Sequence, residues 1–158
     1  MLIRAGQAWE AEEIALVHAQ AHWSAYAPLF GAQAKPLDAA QQASRWQAAF
    51  LGNDLILVAV DDARIVGVGH ASGVVLDKLY LLGSHRRRGL GAQMFSALLE
   101  AMRSRGVAVA RFNVLAMNQA ARRFYEAQGA RLTRLVTVTD ALGEVEDAVY
   151  EIDTERPA

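Results

Sequence analysis

The apolar positions of this chain follow two periods, and the switches between them mark its elements. A short apolar start at Leu2-Ile3 predicts a first strand. From about Glu10 to Ala21, the residues Ile14, Val17 and Ala21 share one helical face. The segment Trp23 to Lys35 is aromatic without a clear period and is expected to be irregular. Asp38-Ala39-Ala40-Gln41 reads as a capping box opening a second helix that buries Ala43, Trp46 and Phe50. The runs 55–60 and 65–68 flank the polar turn Asp61-Asp62-Ala63-Arg64, which predicts a hairpin. Residues 74–82 form the next strand. After Gly89, the residues Leu90, Met94, Phe95, Leu98, Leu99 and Met102 keep the helical period, and Gly106 stops it. Strand 107–114, helix 118–128 ending at Gly129, and strands 130–138 and 144–152 around a turn at 140–143 complete the chain.

This order is one strand, two helices, three strands, helix, strand, helix, two strands. It predicts an α/β fold, a mixed sheet of about seven strands flanked by about four helices. At 158 residues and 53% hydrophobic composition, residues 1–158 are expected to form a single domain with a sizeable core. Cysteine is absent, which excludes disulfides, thiolate metal sites and a cysteine nucleophile. The formal charge of −1 offers no general field for nucleic acid or an anionic membrane, so any anion site must be local. The N-terminus lacks a signal-peptide core, and runs such as Leu55 to Val60 are too short to cross a bilayer. A cytoplasmic location is the expectation. The oligomeric state, a homodimer included, is left open.

The segment His85-Arg86-Arg87-Arg88-Gly89-Leu90-Gly91-Ala92-Gln93 lies between a strand and a strongly periodic helix. The first N–H groups of a helix have no internal partner, and the helix dipole adds about half a positive charge there. Glycines at 89 and 91 remove side chains that would keep an anion away, and the arginines add permanent charge. The combination suits a diphosphate. It is not a P-loop, because Ala92-Gln93 follows Gly91, and not a dinucleotide fingerprint, because position 94 is Met94. The plainer reading is a tight turn with a solvated arginine surface.

The run Leu79-Tyr80-Leu81-Leu82-Gly83-Ser84-His85-Arg86-Arg87-Arg88-Gly89-Leu90-Gly91 resembles the acetyl-CoA-binding segment of the GCN5-related N-acetyltransferases, Gln/Arg-x-x-Gly-x-Gly/Ala after a strand. Asn118 to Gly129 resembles the second motif of that family, Asn-x-x-Ala-x-x-x-Tyr-x-x-x-Gly. Both stand in the right order, separated by one helix and one strand. The resemblance implies the acyl-CoA N-acyltransferase fold, with a mostly antiparallel sheet, and acetyl-CoA as co-substrate without a metal. It implies that the main chain of Leu79, Tyr80 and Leu81 pairs with the pantetheine arm, and that Arg86 begins the motif. The amides of Arg87, Arg88, Gly89, Leu90, Gly91 and Ala92 would hold the pyrophosphate. Asn118 would touch the cofactor arm, although asparagine is also a good helix cap. Tyr125 would be the acid that protonates the departing thiolate, a role worth about 10²- to 10⁴-fold; its helical spacing with Ala121 and Phe124 also fits a core aromatic.

On the acceptor side the motifs fall silent. An amine with a pKa near 10.4 is neutral about once in 10³ molecules at pH 7, so making it nucleophilic costs about 4–5 kcal/mol. Many members of the family place a glutamate where Val75 stands here. Asp77, two residues on, is the candidate base, or else a surface charge beside Lys78. His18 and His22 share a helix face and suit a proton or a metal, but the zinc-protease pattern is missing. His70 and His85 read as ordinary polar residues. Trp23 and Tyr26 are candidates to line the acceptor pocket, or are core. The leading expectation is N-acetylation of a primary amine, that of a small molecule, by direct transfer in a ternary complex. Two alternatives stand beside it: a CoA-binding sensor or scaffold without catalysis, and acetylation of protein N-termini or lysines.

Overall fold

A computed structural model describes residues 1–140 and 143–156. Its strands are β1 (Leu2–Ala5), β2 (Leu55–Asp61), β3 (Arg64–Ser72), β4 (Val75–Leu81), β5 (Val109–Leu115), β6 (Arg131–Asp140) and β7 (Gly143–Asp153). Its α-helices are α1 (Ala11–Phe30), α2 (Ala39–Leu51), α3 (Leu90–Ser104) and α4 (Gln119–Ala127). The seven strands form one sheet in the order β1-β2-β3-β4-β5-β7-β6. Neighbours are antiparallel except β4 and β5, which are parallel. The expected element order and mixed sheet are present. Two residues of the turn expected at 140–143, at positions 141 and 142, lie outside the described residues.

Strand alternation divides the core between the two faces of the sheet. Val58 packs with Ile14, Val17, Trp46 and Val68 under α1 and α2, while its neighbour Ala59 packs with Leu90 and Met94 of α3. Further along α3, Phe95, Leu98, Leu99 and Met102 meet Leu76, Ala110, Phe112 and Tyr150. All six periodic residues of α3 are buried, each contributing about 1.5–3 kcal/mol. The helix lies close to β3: a Cβ on Gly67 would stand 2.5 Å from Leu81 Cδ2 and 2.9 Å from Met94 Sδ.

The local signals hold at the turns and caps. Asp62 (φ 50°) and Ala63 (φ 62°) form the two-residue turn between β2 and β3. Asp38 Oδ1 accepts from Gln41 N at 3.0 Å and caps α2. Glu10, only 3% exposed, accepts from both terminal nitrogens of Arg4 (2.6 and 3.1 Å) and from Gln7 N (2.8 Å). This fastens β1 to the start of α1, and the Arg4 bonds hold the Glu10 carboxyl below its usual pKa.

One expectation fails. The stretch from Trp23 is not irregular up to residue 30; α1 runs unbroken to Phe30. Its rings explain why: His22 stacks on Tyr26 at 4.0 Å, and Tyr26 on Phe30 at 5.9 Å, a ladder at helical spacing. Pro28 falls in the last turn, where its missing N–H and ring disturb one bond rather than the helix interior. Gly31 (φ 56°) then ends the helix, its N–H returning to the Ala27 carbonyl. Among the described residues, no helix is long and apolar enough to cross a membrane.

Candidate active site

Strands β4 and β5 pair at Val75 and Arg111, with Arg111 N donating to the Val74 carbonyl at 2.9 Å. No other aligned pair joins them among the described residues. Leu79, Tyr80 and Leu81 pair with Gly69, Val68 and Gly67 of β3 on one side. Their other backbone edge faces the opening toward β5, where an extended ligand can add as a strand.

The opening leads to the N-terminus of α3. Leu90, Gly91 and Ala92 occupy its first turn, so their N–H groups have no acceptor within the helix. No side chain caps them, and Gly89 takes the N-cap position with φ 79°. Arg87 also has positive φ (60°), a backbone conformation from which anion-binding concavities are built. Arg87 and Arg88 are exposed beside it. Arg86 behaves differently: its side chain turns inward, Nε donating to the Leu81 carbonyl (3.3 Å) and a terminal nitrogen to that of Ala21 (3.1 Å). It ties the end of β4 to α1. His85 contacts Asp61 at 2.8 Å and steadies the same loop.

Asn118 caps α4 through Oδ1, which accepts from Ala121 N at 3.1 Å. Two turns on, Tyr125 packs its ring against Phe112 (4.6 Å), Phe124 (5.0 Å) and Phe95 (5.3 Å). Burial, and then the nearby Tyr26, push its phenol well above the ordinary value, so it stays protonated at neutral pH. Tyr80 is raised likewise by burial, by Tyr26, which is hydrogen-bonded to it, and by Tyr125. Three phenols from α1, β4 and α4 thus meet where β4 and β5 part.

Behind them lies a second ring cluster. His18 packs on Tyr80 (4.8 Å) and accepts the indole N–H of Trp46 at Nδ1 (3.3 Å). Burial lowers its pKa to about 4. Of the two proposed acceptor-pocket residues, Tyr26 joins this assembly, whereas Trp23, one position after His22 and so off the ladder, is 42% exposed.

Asp77 occupies a bulge. Lys78 pairs with His70 and Leu76 with Ala71, which leaves Asp77 as the extra residue of β4. Its carboxylate contacts His70 Nδ1 at 3.2 Å and accepts from the Lys78 ammonium. The His70 bond, and secondarily Lys78, pull its proton affinity far below the usual range. His70 also contacts Asp54 at 2.7 Å. Asp77 is thus a weaker base than an ordinary carboxylate.

The motifs gave no sign of a cavity of about 520 Å³ beyond Phe30, where Met117, Arg122, Glu144 and Glu146 converge. Its walls come from the end of α1, the β5–α4 loop and the start of β7. Phe30 connects it, through the stack on Tyr26, to the phenol cluster. Among the described residues, no group of histidine and acidic side chains has the arrangement of a metal site.

A parted parallel strand pair, a bare helix N-terminus and a half-buried tyrosine beside both define an acyl-CoA N-acyltransferase fold. The model of the acetyltransferase (GNAT) family matches residues 17–130. The chain belongs to this family. Its fold matches a putative acetyltransferase, yncA, from Salmonella typhimurium solved with acetyl-CoA (TM-score 0.76, 18% identity, covering 100% of this chain and 96% of that one). It also matches a ribosomal-protein-alanine N-acetyltransferase from Brucella melitensis (0.78, 16%, 97% and 99%). A third match is the PaiA N-acetyltransferase from Thermoplasma acidophilum with coenzyme A (0.73, 18%, 96% and 98%). No curated protein matches significantly in sequence.

Proposed function

We propose that this chain transfers an acetyl group from acetyl-CoA to the primary amine of a small molecule, by direct attack in a ternary complex. The observation that carries this reading is the continuity of the free β4 edge with the uncapped α3 amides, and Tyr125 beside both. The family membership supports acyl transfer, and two of the structural matches were solved with acetyl-CoA or CoA.

The residues divide the work by position. The amides of Leu90 to Ala92, with those of Arg87 to Gly89, offer donors to a diphosphate, and Arg87 and Arg88 add charge around it. The main chain of Leu79 to Leu81 aligns the pantetheine arm; the thioester supplies the activated acyl group. Tyr125 donates its hydroxyl proton to the departing thiolate. Its raised pKa keeps that proton on the phenol at neutral pH and makes it a weaker acid than an exposed tyrosine. Asn118 sets the start of α4 and hence the position of Tyr125.

The cavity beyond Phe30 is of a size for a small ligand. Glu144 and Glu146 outnumber Arg122 on its walls, which favours a cationic acceptor. The test is to incubate the protein with acetyl-CoA and a panel of small amines and peptides, following free thiol. Turnover with small amines supports the reading. Peptides outperforming every small amine would redirect it to protein acetylation. Cofactor binding without any turnover would leave a CoA-sensing module.

A further inference from the structure

The cavity beyond Phe30 carries charges of both signs, and the positive one is held in place. Arg122 Nε donates to the Tyr150 hydroxyl (3.0 Å), and Nη1 donates to the Ala116 carbonyl (3.2 Å). Arg122 and Ala116 both line the cavity, so the guanidinium is fastened at its wall. The fastening is firm at its far end: the Tyr150 ring is fully buried, and its hydroxyl donates to Glu126 Oε2 at 2.7 Å. Both direct partners of Arg122 are neutral. Among the described residues, Nη2 makes no hydrogen bond and no carboxylate stands at ion-pair distance. A guanidinium fixed in this way loses little freedom on receiving a carboxylate, and such charge-assisted bonds are the strong ones.

Glu144 and Glu146 line the same cavity, and neither is ion-paired among the described residues. A plain carboxylate would meet these two glutamates. A plain diamine would leave Arg122 unmatched. The group that answers both signs is an ammonium beside a carboxylate, the head of an amino acid. Phe30 and Met117 add apolar surface for a methylene stem. Phe30 also stacks on Tyr26 (5.9 Å), which is hydrogen-bonded to Tyr80 where β4 and β5 part.

We infer that the acceptor is a diamino acid. Its carboxylate lies on Arg122 and its α-ammonium on Glu144 and Glu146, while its stem runs past Phe30 and its side-chain amine is acetylated. This rests on the acetyltransferase reading above. The step balances. The side-chain ammonium gives one proton to solvent, and its nitrogen forms the C–N bond at the thioester carbon. The C–S bond breaks, the thiolate takes the Tyr125 proton, and the tyrosinate recovers a proton from the new amide nitrogen.

The experiment measures kcat and KM with three acceptors: free lysine, the diamine made by removing its carboxylate, and the ω-amino acid made by removing its α-amine. The wild type should favour lysine over each of the others by about tenfold or more in kcat/KM, mainly through KM. The product should carry its acetyl group on the side-chain nitrogen. Arg122→Gln should abolish the preference over the diamine, and Arg122→Lys should restore part of it. Glu144→Gln with Glu146→Gln should abolish the preference over the ω-amino acid. Should Arg122→Gln fail to fold, the wild-type preferences and the glutamate variant still decide. Wild-type preferences below threefold, or acetylation of the α-nitrogen, overturn the inference. So does an equal fall in kcat with all three acceptors in Arg122→Gln, which would make Arg122 only a brace for α4. Turnover of other amines but of none of these three overturns it too, while leaving the acetyltransferase reading intact. No turnover with any amine overturns that reading, and this inference with it.

Discussion

Val75 and Arg111 hold β4 and β5 together at one end, and beyond them the two strands go separate ways. That single pair is what gives a parallel neighbour in a sheet an unpaired backbone edge at Leu79 to Leu81. Backbone polar groups left without partners invite a ligand that supplies them. Everything proposed for this chain is arranged around that edge.

Across the gap, Tyr125 is packed by three aromatic rings, so replacing it with phenylalanine removes an oxygen and little else. Tyr125→Phe is expected to lower kcat by about 10²- to 10⁴-fold, with CoA affinity changed less than threefold. Steady-state kinetics beside calorimetry check this. A retained rate would remove Tyr125 from the chemistry.

Gly89 carries φ 79° at the head of α3, with open space around its missing Cβ. The constraint is therefore backbone conformation and not crowding. Gly89→Ala should destabilise the protein by about 1–2 kcal/mol and weaken CoA binding. Gly89→Asn, which tolerates the left-handed region, should do less harm in both. Thermal melts and titration with CoA distinguish these outcomes.

The three arginines are expected to separate. Arg86 is bonded to the Leu81 and Ala21 carbonyls, so Arg86→Ala should cost about 1–3 kcal/mol of stability as well as affinity. Arg87→Ala and Arg88→Ala should leave the melting temperature within about 1 °C and lower CoA affinity mainly at low salt, because exposed charges are screened. Affinity measured at two ionic strengths decides the matter.

Acid stability should depend on Glu10. Its pKa is depressed in the folded state by the Arg4 bonds, so the stabilisation is complete above the ordinary glutamate range near 4.3 and is lost as pH falls through the lower folded value. Glu10→Gln should therefore reduce stability at pH 7 and flatten the decline below about pH 4. Denaturant melts from pH 7 to pH 3 measure both. An unchanged acid limb would mean that Glu10 does not carry it.

On the acceptor side, Glu144→Gln with Glu146→Gln is expected to raise KM about three- to tenfold for an acceptor bearing a second cation. A monoamine of equal length should be affected less, and kcat should hold. A uniform effect on both acceptors would detach these carboxylates from recognition.

The sequence by itself determined the elements and the bare amides at the head of α3. The period of Leu90 to Met102, the turn at Asp61 to Arg64 and the caps at Asp38 and Asn118 are local signals, legible because a helix or turn is specified by residues within a few positions of one another. The loop from Arg86 to Ala92 is local in the same sense, since helix-start amides are bare wherever a helix starts. The surroundings proposed for the acceptor exist only in the tertiary structure. Their parts come from α1, β4, α4 and β7, and no spacing along the chain reports that Tyr26, Tyr80 and Tyr125 converge. The continuation of α1 to Phe30 was obscured by Pro28, although the His22, Tyr26 and Phe30 spacing was in view; only stacking against neighbours selects the helix there. The weakness of Asp77 as a base is likewise tertiary, because it arises from His70 on the adjacent strand. Proton affinity depends on what surrounds a group in space, and the surroundings exist only once the chain has folded.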